Sequence, residues 1–121
     1  MTNTTKKQRT AIEKIKEGVT RTKDGLPWQG YALVGDKEAP ESWKLPHHTR
    51  TIYRAIQGKI GLERTVDWEK MPAAVGALSR GGYEGERVNA EAHEVLAAAA
   101  HLAGHYRKAN KPLPNTLAVL V

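Results

Sequence analysis

The stretch from Asn89 to Lys111 constrains this chain more than any other. Asn89 is a good helix cap, and Glu91 and Glu94 fall in the first turns, where the helix dipole favours acids. Arg107, Lys108 and Lys111 sit at the other end, where it favours bases. Between them Val95-Leu96-Ala97-Ala98-Ala99-Ala100 permits close approach by another helix, and Asn110-Lys111-Pro112 stops the run. An amphipathic helix of this length needs partners that cover its apolar face.

Three further helices are expected to supply that cover. Residues 4–19 carry Ile12, Ile15 and Val19 on one face, and Asp24-Gly25-Leu26-Pro27 breaks the pattern. Residues 49–60 place Ile52, Tyr53, Ile56 and Ile60 in a stripe behind a Thr49 cap, with Gly58 and Gly61 at the end. Residues 67–80 turn Trp68, Met71, Val75 and Leu78 inward after a Thr65 or Asp67 cap. Pro72 fits only a first turn, so the helix proper begins at about 70, and Arg80-Gly81-Gly82 ends it.

Two segments read as extended. In residues 28–46, Trp28 to Gly35 suits a short strand or extended chain, Asp36 to Pro40 a turn-like acidic loop. Trp43 and Leu45 would then point the same way, as anchors across the helices. In residues 112–121, Leu117, Val119 and Val121 alternate with Ala118 and Leu120, which reads as an apolar extended tail. It can pack on its own domain or add to a neighbour's sheet or groove. The expected fold is therefore mainly α: a small bundle of about four helices with an extended aromatic-anchored segment and an extended C-terminal tail. A basic helix or arm covers 1–24, a helical module 25–111 and the tail 112–121.

Charge divides along the same line. The net charge is +6 over 121 residues. Residues 1–24 hold seven Lys and Arg against three acids, a net of +4; residues 25–121 hold twelve against ten, a net of +2. A basic arm on a near-neutral body calls for an acidic partner, either nucleic acid or the acidic surface of another protein. Lys6, Lys7, Arg9, Lys14 and Lys16 are the candidate contacts. No helix-turn-helix, RNA-recognition or zinc-finger pattern accompanies them. No apolar run reaches bilayer length, and the first residues lack the apolar core of a secretory leader.

Candidate chemistry is sparse. The chain has no cysteine, which excludes disulfides and thiolate catalysis, and its two serines, Ser42 and Ser79, lie in no nucleophile motif. Arg80-Gly81-Gly82-Tyr83-Glu84-Gly85 lacks the Lys-Ser/Thr of a phosphate loop and reads as a helix stop. The histidines are different. His101 and His105 lie one turn apart on one helical face, His93 two turns before His101, and His47-His48 could add a ligand if the loop folds back. Such a set has acceptable zinc spacing, yet no thiolate joins it and no Glu lies between His101 and His105 to act as a base. The favoured reading is a hydrogen bond from His101 or His105 to the Trp43–His48 segment that locks the loop onto the helix. No catalytic residue, metal or cofactor is expected.

Several strings of this sequence resemble a small module of tailed-bacteriophage head-morphogenesis and prohead-protease-associated proteins. They run from Val34 through Ser42-Trp43-Lys44-Leu45-Pro46-His47-His48, then Ala77-Leu78-Ser79-Arg80-Gly81-Gly82, then His101-Leu102-Ala103-Gly104-His105-Tyr106-Arg107, and close at Lys111-Pro112. The turn reads Ser-Arg-Gly-Gly where the module has Ala-Arg-Gly-Gly, and no protease domain accompanies it here, so no proteolysis is implied. The resemblance implies a non-enzymatic virion protein of the phage head, a capsid decoration or head-assembly factor present in the host cytoplasm during assembly. Its partners would be the major capsid protein or sister subunits, gripped by Lys6, Lys7, Arg9, Lys14, Lys16, Leu117, Val119 and Val121. Trp43, Pro46, His48, His101, His105 and Tyr106 would hold the module together. A phage-encoded nucleic-acid-binding or host-modulating protein is the alternative, and no membrane is involved.

Overall fold

The segment expected to run extended across the helices pairs with itself. Strands β1 (Tyr31–Val34) and β2 (Trp43–Pro46) form a two-stranded antiparallel sheet with Tyr31 opposite Pro46, Leu33 opposite Lys44 and Val34 opposite Trp43. The period-two pattern explains the faces: Tyr31, Leu33, Trp43 and Leu45 are buried, while Ala32, Val34 and Lys44 are half-buried and Pro46 is exposed. The acidic loop between the strands is closed by its own hydrogen bonds. The Asp36 amide donates to Ser42 Oγ at 2.9 Å, Ser42 Oγ donates to the Ala39 carbonyl at 2.7 Å, and the Trp43 indole donates to the Asp36 carbonyl at 2.8 Å.

The computed structural model describes residues 21–121. The helix expected over 4–19 and the basic side chains Lys6, Lys7, Arg9, Lys14 and Lys16 lie outside the described residues. After the sheet come α1 (Ile52–Ile56), α2 (Met71–Ala77), α3 (Ala92–Lys108) and α4 (Asn115–Leu120); 3-10 turns lie before β1 (Trp28–Gly30), between the strands (Pro40–Ser42) and between α1 and α2 (Leu62–Thr65). The fold is a small mixed α/β unit, which corrects the expectation of a mainly α bundle.

The helices follow local chemistry. Helix α1 spans 5 residues, far short of 49–60, because the backbone turns left-handed at Gly58 (φ +77°). Of its expected stripe only Ile52 is buried, and Ile56 is exposed. Helix α2 carries Pro72 in its first turn, as proline's missing N–H requires. Helix α3 starts two residues later than the Asn89 cap implies. Glu91 is its cap residue, and Glu91 and Glu94 exchange side-chain and backbone bonds in a capping box.

One face of α3 builds the core. Val95, Ala98, Ala99, Leu102 and Ala103 are buried against Met71, Ala74, Val75 and Leu78, against Leu33 and Leu45 of the sheet, and against Leu117. The alanines let β1 lie close to α3, since a small side chain shortens the approach. A second cluster of Leu26, Tyr31, Trp43 and Ile52 packs around the tilted Tyr31–Trp43 ring pair, 5.7 Å between centroids.

The tail is also corrected. Residues 112–121 are not extended: after Pro114 they form α4, because Leu113, Leu117 and Leu120 recur at helical spacing and all three face the core. That stripe outweighs the alternation of Leu117, Val119 and Val121. Leu117 is fully buried and so forms part of the core instead of a free contact surface; Val119 is 83% exposed and Val121 48%. Leu117→Ala is therefore expected to destabilise by about 2–5 kcal/mol in urea unfolding, and Val119→Ala by less than about 0.5 kcal/mol.

Candidate functional site

Residues 47–49 leave the sheet and pair with residues 65–67. The Thr49 amide donates to the Thr65 carbonyl at 2.7 Å, and the Asp67 amide to the His47 carbonyl at 2.8 Å. An isolated bridge joins His48 to Val66. This clasp sets His47 and His48 beside the 3-10 turn that carries Glu63 and Thr65, and α3 brings His101 and His105 across from them. The local backbone is unusual just ahead of the clasp: Leu45 has φ +65°, the left-handed region.

Four imidazoles meet here. His47 and His48 are fully buried and His105 is 5% exposed, while His101 lies at the rim, exposed to solvent. The Nε2 atoms of His47, His101 and His105 form a near-equilateral triangle. Its edges are 3.1 Å (His47–His101), 3.2 Å (His47–His105) and 3.2 Å (His101–His105). One ligand atom from each of the four, His48 included, lies within 4.8 Å of the others.

The partners of the other ring nitrogens fix the tautomers. His47 Nδ1 lies 3.0 Å from the Leu45 carbonyl, which can only accept, so Nδ1 donates. His105 Nδ1 donates to the Glu63 carboxylate, 2.9 Å and 2.7 Å to its two oxygens. His48 Nδ1 is 2.7 Å from Thr65 Oγ1. The threonine's single hydrogen goes to the Leu62 carbonyl at 2.8 Å, so His48 Nδ1 is the donor there too. With Nδ1 as the donor, Nε2 is the acceptor nitrogen of neutral His47 and of neutral His48. His48 Nε2 is buried and has no hydrogen-bond partner among the described residues.

Burial works against protonating His47, His48 and His101. Burial pushes His47 down to about 2, helped by its neighbour His48. His48 falls to about 4, again first by burial and then through His105 and His101. His101 is lowered by burial and by His105. Imidazole nitrogens that converge in this way can ligate a cation; when the rings are neutral they cannot hydrogen-bond one another on every edge. A single N–H on His101 Nε2 would serve its own two edges and leave the His47–His105 edge as two opposed lone pairs.

Of the residues singled out in the sequence, His48, His101 and His105 converge, and His47 joins them at the centre. Trp43 is buried in the second core cluster, and Tyr106 meets Trp68 edge-on at 5.0 Å. Pro46 is exposed and His93 is exposed and outside the cluster. Sequence reasoning missed Glu63 and offered Thr65 only as a helix cap; these two residues orient two of the rings. Neither lies at a periodic distance from a histidine: Glu63 is 42 residues from His105. Lys108 stands 3.6 Å from the same carboxylate, one exposed turn beyond His105.

The histidine shifts set the sign of the pH dependence. In the unfolded chain these rings regain their ordinary value near 6.5, so below that pH the unfolded state binds more protons than the folded one. Stability is expected to be full above about pH 6.5 and to fall from there toward the folded values of about 4 and about 2. Urea midpoints between pH 7.5 and pH 4.5 in chelator-containing buffer measure this. A flat profile would contradict the neutral, buried assignment of His47 and His48.

No family model, curated protein or solved structure matches this chain.

Proposed function

We propose that this chain is a non-enzymatic phage virion protein, a capsid decoration or head-assembly factor that binds the shell through its surface. One observation supports this above all. The two strings that carry the resemblance, Trp43 to His48 and His101 to Arg107, lie 53 or more residues apart in the chain. Yet they meet in the interior, His47 against His101 and His105. Their meeting in one folded unit supports reading the two strings as parts of a single module. Glu63 is engaged by His105 and Lys108. That fits a scaffold better than a substrate site.

Contacts to the shell then fall to the surface. Val119 and Val121 are exposed apolar side chains at the end of α4, and Val119 lines a groove with Arg80 and Arg87. Lys6, Lys7, Arg9, Lys14 and Lys16 would add a charged grip on an acidic capsid face. Repetition over a symmetric shell multiplies weak contacts into avidity. The decisive measurement is mass spectrometry of purified particles from the phage that encodes the chain. The expected result is a high copy number in fixed ratio to the major capsid protein. Absence from particles, together with DNA binding that falls steeply with salt, would favour the nucleic-acid-binding alternative.

A further inference from the structure

We propose that His47, His48, His101 and His105 hold one zinc ion through their Nε2 atoms, as a structural clip between the end of the sheet and α3. The inference goes beyond the capsid reading and does not depend on it.

Geometry carries it. With Zn–N bonds of roughly 2.0–2.1 Å, the edges of a tetrahedral N4 site are roughly 3.3 Å. The three Nε2–Nε2 distances of 3.1 Å, 3.2 Å and 3.2 Å nearly form one face of that tetrahedron. A square-planar ion would force one of the three edges out to roughly 4 Å. His48 supplies the fourth corner. Its Nε2 is buried and unpartnered, and the ligand atoms lie within 4.8 Å, so closing the figure takes a shift of roughly 1.5 Å.

The supporting shell is built for a metal as well. Ligating imidazoles commonly give the other N–H to a carboxylate, a carbonyl or another acceptor, which fixes the tautomer and raises ligand basicity. Glu63 does this for His105, the Leu45 carbonyl for His47, and Thr65 for His48. The nitrogen-only donor set suits zinc, and four protein ligands leave no open position, which makes the site structural. His101 borders a cleft of about 550 Å³, lined also by Trp28, Gln29, Tyr31 and Leu62, through which an ion can enter. The clip would tie residue 47 to residue 101 in a chain with no cysteine for a disulfide.

The test uses the full chain without a polyhistidine tag, stripped with EDTA. Zinc added back is counted by plasma mass spectrometry after gel filtration, and its affinity is measured by competition with a chromophoric chelator. One zinc per chain, with a dissociation constant below about 1 μM and a raised melting temperature, is expected. Cobalt in the same site should show the intense visible bands of a tetrahedral ion without a thiolate band. His101→Ala is the informative variant, because the residue lies at the rim of the cluster, outside the apolar core; it should bind zinc at least 100-fold more weakly. Glu63→Gln should lose about 10–100-fold, and His93→Ala nothing. No retained zinc, a weak octahedral cobalt spectrum, or equal affinity in wild type and His101→Ala would overturn the proposal. Wild-type stoichiometry and the cobalt spectrum decide the matter even if a variant fails to fold.

Discussion

Imidazoles placed in a core must give up water, and each must find another partner for its polar atoms. In this chain that demand organises everything around it. His47, His48 and His105 are buried, and each hands its Nδ1 hydrogen to an acceptor supplied by a different piece of backbone or side chain. To deliver those acceptors the chain must bend at Leu45, pair 47–49 with 65–67, and wind a 3-10 turn at Leu62–Thr65. The irregular middle of the molecule is a consequence of satisfying these rings. The apolar core beside it obeys simpler rules of size and periodicity.

The parts of the fold that were legible are those with local causes. The acids at one end of α3 and the bases at the other announce it, and Pro72 places the start of α2. The hairpin was harder to see. Each strand has only 4 residues, and Trp28 to Gly35 carries no turn signal that dictates pairing with Trp43 to Pro46. The final segment holds two periodicities at once. Alternation of Leu117, Val119 and Val121 speaks for a strand, but Leu113, Leu117 and Leu120 match a helix and have a core to bury against.

The site was half visible for the same reason. His101 and His105 are one turn apart, so a shared face follows from the helix itself. That His47 would sit between them depends on how the sheet crosses α3, which no local pattern encodes. Glu63 and Thr65 are ordinary residues in a polar stretch until the clasp with 47–49 forms. Hydrogen bonding between the helix and the Trp43–His48 segment was expected to need one ring. The structure brings four together, and their number and tautomers are what turn a lock into a candidate ligand set.

Leu45 shows how narrowly such an arrangement limits sequence change. Its left-handed φ of +65° is a conformation that costs an L-residue about 1–2 kcal/mol, and glycine would adopt it freely. Yet its side chain is buried in the main core, where glycine would leave a void. Valine and isoleucine fill space but resist this backbone. The position therefore admits only unbranched-at-Cβ apolar residues of about this size. A single site here must answer both to the backbone and to the core, whatever happens on the surface around it.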